Sequence, residues 1–138
     1  MKIEAILWAN AGMVDANSLL HLEGGGWRFV ELESFPHSLA GSVCGVMLVE
    51  DGDFGSIHTI SFAVSDDSGH VEGAAGSMTI DASEASEEMS TPRIAFAFPF
   101  HVVVRDPTLL KASVTSNGGV LGGLSLIVRR KTPSEASG

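Results

Sequence analysis

The sequence predicts an all-β domain, an antiparallel β-sandwich of about eight or nine strands, with a small β-barrel as the alternative. Short runs of alternating or β-branched apolar residues recur between turn signals, which is the pattern of sandwiches and barrels. Hydrophobic residues make up 44% of the chain, which is enough to fold, and its sixteen glycines disfavour long helices. A length of 138 residues suits one domain, which we assign to residues 1–131, followed by a disordered tail at residues 132–138.

Nine segments carry the strand pattern. In chain order the predicted strands are Ile3–Ala9, Leu19–Glu23, Trp27–Glu33, Val43–Val49, Ile57–Ser65, Val71–Ile80, 94–104, Leu109–Thr115 and Val120–Val128. The fourth is apolar on both faces, which is typical of a central strand. The fifth alternates, with His58, Ile60, Phe62 and Val64 on one face and Thr59, Ser61 and Ala63 on the other.

Turn residues join these strands. Asp15-Ala-Asn-Ser leads into the second strand, and Ser116-Asn-Gly-Gly closes a hairpin between the last two. The turn after the fifth strand contains Gly69, which supplies a positive φ. Residues 81–93 are polar and acidic, and we expect either a loop or one helical turn begun by Asp81.

Segment 94–104 is expected to contribute most of the aromatic core. Its alternate side chains are apolar and share one face: Ile94, Phe96, Phe98, Phe100, Val102 and Val104. Pro99 points the other way and has no amide donor. This strand is therefore predicted to lie at a sheet edge or to contain a bulge.

The stretch HLEGGGWRF, which ends at Phe29, poses a choice between a phosphate-binding loop and a bend. A dinucleotide-binding loop requires G-x-G-x-x-G between a strand and a helix, because the helix N-terminus receives the pyrophosphate. Phe29 occupies the third glycine position here, and the segment that follows is extended. We therefore expect Gly24, Gly25 and Gly26 to form a structural corner, a bulge that turns the Trp27 ring into the core.

A family resemblance rests on this corner and its surroundings. The segment AILWANAGMVDANSLLHLEGGGW, the Pro-His-Ser-Leu step at residues 36–39 and the later pattern H-x-I-x-F-x-V-x-D-D-x-G resemble a family of small bacterial all-β domains of unknown function, with a GGGW corner after the second strand. The resemblance covers residues 3–71. It implies a β-sandwich and no mechanism. The Ser116-Asn-Gly-Gly turn departs from the Pro-Gly-Tyr-like ending of that family.

The charge balance excludes several classes of partner. A formal charge of −9 disfavours electrostatic binding to nucleic acid or to anionic membranes, and we expect neither partner. The basic cluster at residues 129–131 is interpreted as a solvated strand end. Cys44 is the single cysteine, so no internal disulfide forms, and Glu4 interrupts any signal-peptide core. No run approaches the ~20 apolar residues of a membrane helix, and we expect a cytoplasmic protein.

No metal-binding or cofactor-binding pattern stands out, and we predict neither a metal nor a cofactor. The acidic residues that raise calcium as an alternative are Glu50, Asp51 and Asp53 in one loop and Asp66 and Asp67 in another. These loops flank one strand and so lie at opposite ends of the sandwich. The five histidines and Cys44 show no zinc-ligand spacing, and Cys44 is expected to be a buried core thiol.

No catalytic constellation is recognisable. The chain lacks a G-x-S-x-G nucleophile elbow, and Gly76-Ser77-Met78 and Gly123-Leu124-Ser125 match it only superficially. With no tyrosine, and with Trp8 and Trp27 as the two tryptophans, the chain offers few aromatic platforms for carbohydrate.

Two predicted strands are apolar on both faces, which a sandwich exposed to water does not require. In the first strand Ile6 and Trp8 form a second apolar face. In the last strand Leu121 and Ile127 point away from the face that holds Val120. Because no helix is predicted to cover these faces, we expect a homo-oligomer with Trp8, Ile6, Leu121 and Ile127 in its interface.

The sequence therefore favours a non-enzymatic module for protein interaction or self-assembly, which binds its own copies and offers loops or an edge strand to another protein. The alternative is a small-ligand or Ca²⁺-binding domain with a pocket lined by Trp8, Trp27 or the acidic loops. An enzyme with an unrecognised site is a third hypothesis. It would require a polar cleft in which histidine and carboxylate side chains converge.

Overall fold

The computed structural model describes residues 1–53, 55–66, 75–81, 93–117 and 119–132. Within these residues the protein is all-β, which confirms the predicted fold class. The described part contains ten strands: β1 (Lys2–Ala9), β2 (Ala11–Val14), β3 (Leu20–Glu23), β4 (Phe29–Leu32), β5 (His37–Leu48), β6 (Ile57–Asp66), β7 (Ala75–Asp81), β8 (Arg93–Val104), β9 (Thr108–Ser116) and β10 (Gly119–Arg130). A 3-10 turn at Asp51–Asp53 follows β5. Over the same residues, no helix has the length and apolar character needed to cross a membrane.

Two sheets pack face to face, and a separate hairpin lies outside them. The small sheet has the strand order β1-β5-β8, and the large sheet has the order β4-β10-β9-β6-β7. The hairpin consists of β2 and β3. Neighbouring strands are antiparallel in every pair except β4 and β10, which run parallel. The arrangement is the predicted sandwich with one parallel edge strand added.

The core lies between the two sheets and follows from strand alternation. On β8 every second side chain from Phe96 to Val104 is buried, as expected for segment 94–104. Phe98 stacks on Phe62 of β6 with ring centroids 4.6 Å apart, which joins the two sheets. The alternation predicted for β6 is also observed: His58, Ile60, Phe62 and Val64 form its buried face. Each fully buried aromatic or aliphatic side chain of this kind contributes about 1.5–3 kcal/mol to folding.

Within the described residues, the positions of β5 and β8 in their sheet and the turns of two hairpins agree with the predictions from the sequence. β5 is the central strand of the small sheet, and β8 is an edge strand, where the missing donor of Pro99 is tolerated. The turns at Asp15 and Asn117 close the β2–β3 and β9–β10 hairpins, with a φ of 51° at Asn117. The Gly69 turn, most of the acidic segment 81–93 and the tail beyond residue 132 lie outside the described residues.

Strand β2 has no counterpart among the predicted strands, and it accounts for the apolar outer face of the small sheet. The β2–β3 hairpin lies across that face, where a side chain at Gly12 would overlap the Cys44 sulfur. Cys44 is fully buried beneath the hairpin, and burial raises the pKa of its thiol. The small sheet therefore has a covering element, although the sequence indicated none, because the chain folds back directly after β1.

A β-bulge in β10 reverses the faces assigned to Val120 and Leu121. The register with β9 shifts between Val120 and Gly122, so one extra residue separates the two parts of the strand. Val120 points outward and is exposed, whereas Leu121 packs against the core. Strict alternation fails here because an inserted residue moves every side chain on one side of it to the other face.

Close packing requires a glycine in the small sheet. A Cβ at Gly45 would overlap the Ala5 carbonyl oxygen and lie 2.7 Å from the Phe96 ring. We expect Gly45→Ala to lower the free energy of unfolding by ~1–3 kcal/mol, since overpacking forces strained rotamers and backbone shifts. Urea denaturation measures the change. Gly76→Ala is the control, because a Cβ there would lie 3.7 Å from Phe98, an ordinary contact distance. Equal stability of the two variants would contradict this account of the packing.

Candidate functional site

The structure separates the four residues that the sequence assigned to an interface. Trp8 is 1% exposed, and its Nε1 donates a hydrogen bond to the Ser125 carbonyl oxygen at 3.2 Å. It is a core residue, which corrects its assignment to a surface. Ile6 and Leu121 are partly buried and pack against the core. Ile127 alone of the four has a largely exposed side chain, with an exposed fraction of 51%.

Ile127 lies at the centre of an apolar row on the outer face of the large sheet. Its cross-strand partners are Phe29 of β4 and Leu109 of β9. Directly paired residues point to the same face of a sheet, so these three apolar side chains cross three adjacent strands. Phe29 is 44% exposed, and Leu109 is partly buried. We refer to Phe29, Ile127 and Leu109 as the apolar row.

Ion pairs flank the apolar row where β4 and β10 end. The Arg129 guanidinium lies 4.0 Å from the centroid of the Phe29 ring and 3.6 Å from the Glu31 carboxylate. The Lys131 ammonium lies 3.7 Å from the Glu33 carboxylate. Arg129 and Lys131 of the basic cluster thus contact neighbouring side chains of the same chain. This agrees with the interpretation of the cluster as the end of a strand. Arg129 and Lys131 are thus paired with carboxylates of the same chain.

Small side chains cover the central part of this face on β6, β7 and β9, while Ile57 of β6 and Lys111 of β9 are larger exposed side chains on the same face. The cross-strand partners there include Thr59 with Thr79, Ser61 with Ser77, Ala63 with Ala75, and Ser113 with Ala63. A shallow depression of about 440 Å³ lies over Ser61, Ala63, Ala75, Ser77 and Ser113 of this set. The central part of the face is therefore low in relief, and another flat surface can approach it closely.

The three glycines lie in a bend between β3 and β4. Gly24 and Gly26 have positive φ angles of 57° and 87°, which favour glycine. The amides of Gly26 and Trp27 donate hydrogen bonds to the Trp8 carbonyl oxygen at 2.7 and 3.3 Å. Trp27 packs edge-on against Phe100, with ring centroids 6.3 Å apart. The chain then continues into a strand, so the bend lacks the helix N-terminus that a pyrophosphate needs.

Two of the acidic residues that raised the calcium alternative contact an ammonium group. The Glu50 and Asp53 carboxylates lie beside the Met1 α-ammonium, and Asp53 also accepts a hydrogen bond from the Glu50 amide at 2.9 Å. Burial alone would raise the pKa of Asp53, but these hydrogen bonds hold it below its usual value. Among the described residues, no group of three His, Cys, Asp or Glu side chains is placed to hold a metal ion. The Asp51 side chain and Asp67 lie outside the described residues.

Among the described residues, Ser56 and His58 are a serine and a histidine within hydrogen-bond distance of each other. The Ser56 Oγ lies 3.0 Å from His58 Nε2, but the Asp53 carbonyl oxygen lies 2.8 Å from the same nitrogen. A carbonyl oxygen only accepts, so this nitrogen carries the proton and is not free to take one from the serine. The pair therefore stabilises the loop before β6 and does not activate a nucleophile.

A groove of about 440 Å³ lies beside the β2–β3 hairpin. Its lining residues are Ala11, Gly12, Met13, His21, Leu22 and Glu23. The His21 ring is hydrogen-bonded to the Asp15 carboxylate at 2.6 Å, and this contact lowers the pKa of Asp15. His21 thus stabilises the turn between β2 and β3. Neither Trp8 nor Trp27 belongs to this lining, so the groove is not the ligand pocket expected around the tryptophans.

Comparison with known proteins finds no relative: no family model, no curated protein and no solved structure matches the chain. The resemblance to bacterial domains with a GGGW corner therefore stays a prediction. Function has to be inferred from the surfaces of this chain.

The bend at Gly26 offers a test that is independent of packing. A Cβ at Gly26 would have no neighbour within 4 Å, yet its φ of 87° is unfavourable for any other residue. We expect Gly26→Ala to lower the free energy of unfolding by ~1–2 kcal/mol through backbone strain. Thermal or urea unfolding measures the effect. Gly52→Ala is the matched control, because a Cβ there is equally free and the backbone is not left-handed. The account of the bend fails if both variants are as stable as the wild type.

Proposed function

We propose that this protein is a non-enzymatic interaction module that self-associates through the apolar row. The observation that carries the proposal is the adjacent pair of Phe29 and Ile127, exposed at 44% and 51% on the outer face of the large sheet. The solvated face of an antiparallel sheet normally carries polar residues. Apolar side chains in direct register on such a face are typical of an interaction surface.

The contrast between the two sheets supports this proposal. The outer face of the small sheet is covered by the β2–β3 hairpin, and Cys44 on that face is inaccessible. In the part of the chain that the structure describes, no such hairpin lies over Phe29 and Ile127, which are exposed at 44% and 51%. The exposed apolar residues on the second face of β10 are therefore buried only when another molecule covers them.

A second copy of the chain is the occupant that we propose for the row. A two-fold arrangement places the row of one chain against the same row of the other, so each copy supplies three apolar side chains. The chain has a formal charge of −9, which opposes association wherever carboxylates meet. At the row this repulsion is reduced, because Arg129 and Lys131 neutralise Glu31 and Glu33. The small side chains on the neighbouring strands leave room for two sheets to stack ~10 Å apart.

The proposed setting is the cytoplasm. The single cysteine is buried and forms no disulfide, as suits a reducing compartment. The formal charge makes a protein a more suitable partner than nucleic acid or an anionic membrane. The proposal includes no metal and no cofactor.

Replacing the central residue of the row tests the proposal. We expect Ile127→Lys to weaken self-association at least tenfold, since it places a charge in the desolvated centre of the interface; tenfold corresponds to about 1.4 kcal/mol. Sedimentation velocity over a range of protein concentrations measures the association. Val103→Lys is the control, because Val103 is also exposed, at 44%, but belongs to the small sheet. Circular dichroism and melting temperature establish that both variants fold.

Two outcomes would overturn the proposed function. One is a wild-type protein that stays monomeric at every accessible concentration. The other is an equal effect of Ile127→Lys and Val103→Lys on the dissociation constant, which would assign the effect to added charge and not to the row.

A further inference from the structure

The sheet edges differ in how far they are protected from pairing with another strand. An edge strand presents unpaired backbone N–H and C=O groups, and proteins block such edges with proline, charge, bulges, short length or a covering element. The edge strands of the two sheets are β1 and β8 in the small sheet and β4 and β7 in the large sheet. We compare the described residues of all four.

Three of the four edges carry a protective feature. β1 contains a register shift between Ile3 and Ala5, an irregularity that disfavours pairing at its free edge. β8 contains Pro99, which has no amide donor. β4 is only four residues long and contains Glu31. These edges are poor templates for an incoming strand.

β7 carries none of these features in its described residues. It spans seven residues, Ala75–Asp81, with no proline and no charged side chain before Asp81. Its register with β6 runs without a shift from Ala63 opposite Ala75 to Ile57 opposite Asp81, so it contains no bulge. Among the described residues no strand pairs with its other side. β7 is therefore a regular and largely uncharged edge.

We propose that β7 pairs antiparallel with β7 of a second copy, which joins two large sheets into one continuous sheet. This inference rests on the proposed self-association but assigns it a second contact, separate from the apolar row. The occupant follows from symmetry and charge: an antiparallel strand can pair with its own copy about a two-fold axis. Within the described residues of β7 the one carboxylate is Asp81, which an antiparallel pair centred on Met78 places opposite Ala75 and not opposite a second carboxylate.

The side chains of β7 suit this pairing. Met78 is partly buried and packs at the margin of the core, and Ile80 is buried on the same face. A two-fold axis at Met78 places the two Met78 side chains side by side and extends the core across the contact. In this register Gly76 of one copy faces Ile80 of the other, where the missing side chain leaves room for isoleucine. On the outer face Ser77 faces Thr79, so like charges do not meet.

Two surfaces with separate two-fold axes predict assemblies larger than a dimer. The apolar row lies on β4, β10 and β9, and β7 lies at the opposite edge of the same sheet. One chain can therefore contact one copy through the row and another through β7. Blocking either contact should leave a dimer held by the other.

The experiment uses sedimentation velocity on a set of full-length variants. Ile127→Lys removes the row contact, and the double substitution Ser77→Lys with Thr79→Lys places lysines opposite each other across the β7 contact. The matched control is Ser61→Lys with Thr59→Lys. Ser61 and Thr59 are the cross-strand partners of Ser77 and Thr79 on β6, an interior strand with the same exposed face. Both double variants change the charge equally. Circular dichroism and melting temperature verify folding.

The proposal predicts that Ile127→Lys still forms dimers. Adding the β7 double substitution to Ile127→Lys abolishes these dimers, and adding the β6 control leaves them intact.

If Ile127→Lys is monomeric where the wild type associates, pairing through β7 is overturned and the proposed function stands. If the β7 double substitution alone abolishes all association and Ile127→Lys changes nothing, the row is overturned and β7 stands. Dimers of Ile127→Lys that survive the β7 double substitution overturn β7 pairing. A monomeric wild type overturns both proposals.

Discussion

Trp8 is the residue on which the rest of the structure depends. Its side chain lies in the core of the sandwich against Phe100, while its indole N–H reaches the Ser125 carbonyl oxygen of the large sheet. Its own carbonyl oxygen accepts hydrogen bonds from Gly26 and Trp27, which anchors the bend between β3 and β4. One residue thus joins the small sheet, the large sheet and the glycine bend. Burial of a tryptophan of this size contributes strongly to the core, and its polar nitrogen finds a partner there.

The path of the chain around Trp8 determines which faces of the two sheets remain exposed. The chain folds back directly after β1, so the β2–β3 hairpin covers Cys44, and Gly12 leaves the space that this approach needs. The bend then releases β4 to pair in parallel with β10 on the large sheet. That pairing places Phe29 beside Ile127 and completes the apolar row. The fold-back after β1 therefore covers the small sheet, whereas the bend after β3 leads to the strand that completes the exposed apolar row on the large sheet.

Local pattern predicted much of the fold and little of the candidate site. Alternation identified the buried faces of β6 and β8, and Pro99 identified an edge strand, because these are properties of single strands. Trp8 was assigned to an interface because one strand cannot reveal that its second apolar face meets the opposite sheet. Leu121 was assigned outward because a bulge is not visible in the residue pattern. The row was missed because it depends on a parallel pairing between Phe29 and Ile127, which are far apart in the chain.

The central functional claim is that Ile127 and Phe29 are buried between copies of the chain. Methyl NMR of isoleucine-labelled protein, recorded over a range of protein concentrations, tests this most directly. The account predicts that the Ile127 methyl signal shifts or broadens as concentration rises and shows intermolecular contacts to the Phe29 ring. The chemical shift of Ile60, which is fully buried in the core, should stay constant. An Ile127 signal that is unchanged at every concentration would contradict the claim.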